Sequence, residues 1–129
     1  AELDLGEIGR LVTGLLTGGR LTLEWESAPA HWPKDWAKLL MNASLIAADC
    51  LPRGGLIRVK AADGAPGFFI TATGTGARIS EDVTRALHGE MLEHDARGVQ
   101  PVLTFRLAKG VNASLAITPH EGYVEIVAG

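Results

Sequence analysis

Apolar residues recur along the chain with two different periods, and each change of period marks a change of element. Leu5, Ile8, Val12, Leu15 and Leu16 return at helical spacing before Thr17-Gly18-Gly19 breaks the run, and Asp4 with Glu7 has capping-box spacing. A short amphipathic helix is predicted there. Leu21, Leu23 and Trp25 then alternate with Thr22, Glu24 and Glu26, the pattern of a strand with one buried and one wetted face. Pro33 can open a helix at its first position, where no N–H is needed. Trp36, Leu39, Leu40, Ala43, Ile46, Ala47 and Cys50 follow at helical spacing until Leu51-Pro52-Arg53-Gly54-Gly55 ends the run. Residues 56–61 and 67–72 are β-prone runs around the turn sequence Asp63-Gly64-Ala65-Pro66, and they predict a hairpin.

Ser80 can cap a helix reaching about His88, with Gly89 as its stop, and a further helix is predicted from Pro101 to Lys109 with Gly110 ending it. The segment between them is assigned no element. Leu115 to Thr118 and Tyr123 to Val127, joined through Pro119, His120, Glu121 and Gly122, predict a final hairpin. Helices that must cover one face of a sheet built mostly from antiparallel pairs imply an α+β fold, a two-layer α/β sandwich. No repeat, low-complexity tract or linker divides residues 1–129, and the length suits one domain.

Composition narrows the function. With 47% hydrophobic and 21% charged residues the chain has the make-up of an ordinary folded domain. A net charge of -3 argues against nucleic acid as a partner, since such binding rewards clustered Lys and Arg. No apolar run approaches the ~20 residues of a membrane span, and the N-terminus has no basic segment followed by an apolar one, so no membrane association and a cytoplasmic location are expected. The lone Cys50 lies within an apolar helical pattern and is expected to be a buried free thiol.

Candidate chemistry is sparse. No two of the four histidines have the three- or four-residue spacing that would set metal ligands on one helical face, so no metal is expected. Ser44 and Ser114 sit in apolar patterns without a nucleophile elbow, which suggests packing or backbone bonding. His94-Asp95 is similar to the histidine–acid pair of a phosphoaccepting helix, but it lies near Arg97-Gly98 in the unassigned segment, and a solvated or capping histidine is expected. His31 reads as a loop residue beside a helix start and His120 as a turn residue.

Two blocks resemble the nucleotide site of histidine-kinase catalytic domains, the Bergerat-type ATPase fold. Residues Ile46-Ala47-Ala48-Asp49-Cys50-Leu51-Pro52-Arg53-Gly54-Gly55 fit the helix end and turn of that family, with Ile46 where its magnesium-binding asparagine stands. Ala72-Thr73-Gly74-Thr75-Gly76 fits its Asp-Asn-Gly-x-Gly box, with Ala72 at the adenine-binding aspartate. Isoleucine offers magnesium no oxygen, and alanine offers the adenine amino group no acceptor. Gln100-Pro101-Val102-Leu103 falls where the family's glycine-rich lid motif would lie and contains no glycine, so phosphate cradling by backbone amides is not expected. Asn42, one turn before Ile46, is read as a polar residue at the layer edge that satisfies a local hydrogen bond.

Leu39-Leu40-Met41-Asn42, Ala47 to Gly55, Leu87-His88-Gly89-Glu90 and Gly98-Val99-Gln100-Pro101 followed by Leu107-Ala108 resemble, in order and spacing, the C-terminal domain of ChpT-like bacterial histidine phosphotransferases. That resemblance covers nearly the whole chain. It implies a degenerate ATPase-like domain, with no cofactor and no catalytic residue of its own, that helps dock the receiver domains of a hybrid histidine kinase and of response regulators in a phosphorelay. In that family the phosphoacceptor histidine and most of the dimer contact lie in an N-terminal helical hairpin, which is expected to be missing from this chain. The alternative is an active ATP-binding kinase-like or related ATPase domain of the same fold with unusual contacts.

Arg58 and Lys60 lie two apart in a predicted strand and should share a face, with Ile57, Val59 and Ala61 on the other. A cationic face is expected, and these two residues are the candidates for contacting an acidic receiver.

Overall fold

The computed structural model describes residues 2–16, 19–62, 64–87 and 96–129. Two elements at the start form a clasp: strand β1 (Glu2–Asp4) pairs antiparallel with β3 (His31–Pro33), aligning Leu3 with Trp32. Between them run helix α1 (Leu5–Leu16) and strand β2 (Leu21–Glu26). Asp4 caps α1, its Oδ1 accepting the Gly6 N–H at 3.0 Å, and satisfies one of the donors that a helix start leaves open. Leu5, Ile8, Val12 and Leu16 are buried as their spacing predicts, whereas Leu15 is 61% exposed.

Pro33 is the N-cap of α2 (Lys34–Asp49), one residue outside the helix, with an extended ψ of 144°. Cys50 closes α2 in helical conformation, and strands β4 (Gly55–Ala61) and β5 (Phe68–Thr73) follow as the expected antiparallel hairpin. Helix α3 (Glu81–Leu87) is capped by Ser80, whose Oγ accepts the Val83 N–H at 3.3 Å. The expected end of this helix at His88-Gly89 and the His94-Asp95 pair lie outside the described residues. Helix α4 (Ala96–Gly110) begins five residues before the predicted start, and Pro101 lies inside it. The sequence expectation set Pro101 at the helix start, whereas it is the sixth residue of α4, where its missing N–H costs one intrahelical bond without ending the helix. The last hairpin is β6 (Leu115–His120) with β7 (Tyr123–Ala128).

The main sheet has the order β2-β4-β5-β7-β6, and only the β2–β4 pair is parallel. Its inner face carries an apolar row through all five strands, Trp25, Val59, Ile70, Ile126 and Ile117, held in register by the ladders. Helix α2 lies over this face with α1 on one flank and α4 on the other. Burying each such aliphatic side chain contributes about 1.5–3 kcal/mol, which outweighs the entropy of ordering it. Neither the small β1–β3 clasp nor the parallel pairing of β2 has a signal in the sequence. Three-residue strands carry too little alternation to register, and a parallel partner 34 residues away leaves no turn signal.

Gly9 sets how closely α1 approaches the sheet. A Cβ there would lie 2.7 Å from Trp25 Nε1, whereas one at Gly14 would meet nothing. Gly9→Ala is therefore expected to lower stability by about 1–3 kcal/mol through overpacking. Gly14→Ala, on the open side of the same helix, should raise it by about 0.5–1 kcal/mol. Urea denaturation of both variants checks the pair, and equal effects would contradict this packing.

Candidate functional site

The two sequence blocks that carry the kinase resemblance meet at one end of the sheet. The turn Leu51–Gly55 follows α2 and runs beside the start of β2, and Gly74-Thr75-Gly76 follows β5 and packs against that turn. Gly55 N–H donates to the Arg20 carbonyl at 3.0 Å, Arg78 N–H to the Cys50 carbonyl at 3.0 Å, and Gly74 N–H to the Gly122 carbonyl at 3.2 Å. Backbone packs on backbone here. Gly55 has φ +142°, and a Cβ at Gly55 would overlap the Thr73 carbonyl oxygen, while one at Gly74 would overlap the Gly54 carbonyl oxygen. These glycines thus have a purely steric requirement, whatever else the loops do.

Ile46 is 1% exposed and Ala72 is fully buried, both inside the main core cluster. Ala72 pairs with Ile57 on one side and Val124 on the other, so hydrocarbon surrounds it across three strands. Neither residue offers a polar atom to a ligand beyond its backbone. Asn42 lies one turn before Ile46; its Nδ2 donates to the Lys38 carbonyl at 2.8 Å, and its Oδ1 accepts from Gln100 Nε2 at 3.5 Å. The local bond is the one expected of it. The link to Gln100 spans 58 residues and ties α2 to α4, and no spacing in the sequence announces it.

The remaining candidates are dispersed. Ser44 is buried, and its Oγ donates to the Leu40 carbonyl at 2.8 Å within α2; Ser114 is exposed, and its backbone pairs with Gly129. His31 lies in β3 opposite Asp4, and His120 stacks on Tyr123 with ring centroids 4.5 Å apart and Nε2 3.5 Å from Glu125 Oε1. Among the described residues no group of three His, Cys, Asp or Glu side chains could hold a metal ion, and no helix is long and apolar enough to cross a membrane. Cys50 is a buried free cysteine.

Arg58 and Lys60 do share the outer face of the sheet, but the expectation of a cationic face needs correction. Strand β2 sets Glu24 opposite Arg58 and Glu26 opposite Lys60, and Arg58 Nε donates to Glu24 Oε1 at 2.7 Å. Alternation within one strand fixes which face a side chain takes, whereas charge on that face depends on the neighbouring strand. Lys60 makes no ion pair among the described residues.

This α/β sandwich, a mostly antiparallel sheet with one parallel edge pair and helices on its inner face, has the histidine-kinase ATPase-like fold. The family described as the histidine phosphotransferase C-terminal domain matches residues 5–123, and the chain belongs to it. It is 32% identical over 130 residues to the protein phosphotransferase ChpT of Brucella abortus (strain 2308). The alignment takes in 98% of this chain and 61% of that protein, so the chain spans less than two thirds of this relative. The structure of a bacterial phosphotransferase superposes with a TM-score of 0.88 at 29% identity, over 99% of this chain and 64% of that one. The histidine kinase domain of the Erythrobacter litoralis EL346 blue-light activated histidine kinase shares the fold at 15% identity and a TM-score of 0.67, over 96% of this chain and 57% of that one.

Burial, together with the neighbouring Asp49 carboxylate, pushes the Cys50 thiol up to about 12 from its ordinary 9.0. The native thiol should therefore resist Ellman's reagent at pH 8 and react at the rate of global unfolding as urea is added. Linkage fixes a second sign: the unfolded chain loses this proton above about pH 9 while the native one keeps it, so the contribution of Cys50 to stability falls as pH rises through that window. Rapid labelling without denaturant would contradict this burial.

Proposed function

We propose that this chain is the receiver-docking, nucleotide-independent domain of a phosphorelay phosphotransferase. The observation that carries the reading is the apolar filling of two key positions: Ile46 and Ala72 belong to the core, where the kinases that the sequence resembles keep a magnesium ligand and an adenine acceptor. Family membership supports the phosphotransferase part of it. The glycine turns do not argue against it, because steric contact alone accounts for Gly55 and Gly74.

The phosphoacceptor histidine, on this reading, is carried by a helical hairpin outside these 129 residues, and the phosphoryl group moves between receiver aspartates through it. That the chain spans 61% of its Brucella abortus relative leaves room for such a segment. The present domain contributes surface, with Arg58 and Lys60 facing an acidic receiver and Lys60 supplying the cation that Glu24 does not neutralise. It acts where kinases and receivers exchange phosphate, which places it in the cytoplasm, and it needs no cofactor.

Two outcomes are expected. Thermal melting with ATP and magnesium should give no shift, whereas native-selective binding at 100 times the dissociation constant would add about 2.7 kcal/mol. A magnesium-dependent rise in melting temperature would favour the active ATP-binding alternative. Incubation with a radiolabelled phosphorylated receiver should leave no acid-labile label on this chain; label that disappears in His94→Ala would place the acceptor within it.

A further inference from the structure

The outer face of the sheet has one large apolar side chain in its middle. Phe69, on the central strand β5, is 42% exposed, and the ladder sets it directly opposite Lys60 on β4 and Val127 on β7. A solvent-facing phenylalanine between two strands is unremarkable by itself. The surroundings give it shape: Lys60 and Phe69 both line a groove of about 340 Å³ that also takes in Glu26, Arg58 and Thr71. On their other side both line a second hollow of about 420 Å³, bounded by Ala61, Pro66, Phe68 and Ala128. The pair is therefore a ridge between two concavities, one polar and one walled mainly by apolar residues.

Charge and shape together specify the occupant. On this ridge an ammonium without a carboxylate partner adjoins a ring whose flank is unfilled. The matching surface presents a carboxylate beside an apolar side chain: the carboxylate takes the Lys60 charge, and the apolar group enters the hollow next to Phe69. Aromatic residues at the centre of a patch, ringed by polar groups that exclude water, are where binding energy concentrates. Glu26 at the edge of the sheet repels a uniformly acidic surface and so biases the orientation of the approach. We propose that Phe69, with Lys60 beside it, is the apolar anchor by which a receiver domain is held on this sheet face. The proposal rests on the receiver-docking reading above and adds to it a specific contact that is not electrostatic.

The test uses this chain, titrated in turn with each unphosphorylated receiver domain of the source genome by calorimetry at low and high salt. Phe69→Ala is expected to weaken the binding receiver about tenfold or more, by a factor that stays the same across salt. Phe69→Thr, which keeps a strand-favouring residue, should weaken it comparably and guards against loss of fold, with melting temperature as the check. The Arg58→Glu, Lys60→Glu pair should also weaken binding, by a factor that shrinks as salt rises. Leu103→Ala, at a 45% exposed position on α4 in the other layer, should change nothing. If both Phe69 variants bind as the wild type while the charge reversal weakens binding, the anchor is refuted and the docking reading stands. If no receiver binds, or if neither the Phe69 variants nor the charge reversal matters, both fall together.

Discussion

Contact between the apolar stripe of α2 and the inner face of the five-stranded sheet is the constraint on which the rest of this structure depends. Leu39, Leu40, Ala43, Ile46 and Ala47 on the helix and Ile57, Val59, Ile70, Ala72, Val124 and Ile126 on the sheet belong to one buried cluster. Everything else is placed relative to that seam. Helices α1 and α4 flank α2, the glycine turns cross where α2 ends and β5 stops, and the outer sheet face is left to solvent because the helices occupy the inner one. A protein interior packs nearly as densely as an organic crystal, so each position in such a seam is felt by its neighbours. Ile46 and Ala72 are part of it, and the seam has no polar interruption at either.

The same geometry separates two roles that one fold can carry. At the α2 end of the sheet, backbone segments pack closely enough that Gly55 and Gly74 have no room for side chains, and the nearby side-chain positions 46 and 72 are apolar. That end is closed by backbone contacts and by hydrocarbon at both positions. The outer face differs: Glu24, Glu26, Arg58, Lys60, Phe69 and Thr71 are presented together by three rigid strands. Side chains held on strands keep their backbone spacing, which lowers the cost of ordering such a surface on binding. The family and the scaffold are those of a histidine phosphotransferase C-terminal domain.

Much of this could be read from the chain, because long periodic segments carry their own evidence. The α2 pattern from Trp36 to Cys50, the β4–β5 hairpin around the turn at Gly64, and the β6–β7 hairpin each depend on local spacing and turn chemistry. The family, too, was legible in short ordered motifs. What could not be read was set by partners far away in sequence. The clasp between Leu3 and Trp32, the parallel ladder from Leu21 to Gly55, the reach of Gln100 to Asn42, and the neutralisation of Arg58 by Glu24 all join residues 29 or more apart. Lys60 and Phe69 illustrate the limit: strand alternation assigns a face to each, but only the β4–β5 register makes them neighbours.

The central claim is that position 46 is structural hydrocarbon. Equilibrium urea unfolding of Ile46→Asn, which sets an amide in place of that hydrocarbon, tests it most directly. Burial of an amide where Ile46 now packs at 1% exposure forfeits the transfer energy of the side chain and strands polar atoms away from water, so a loss of about 3 kcal/mol is expected. A variant within about 0.5 kcal/mol of the wild type, the range usual for surface substitutions, would contradict the account.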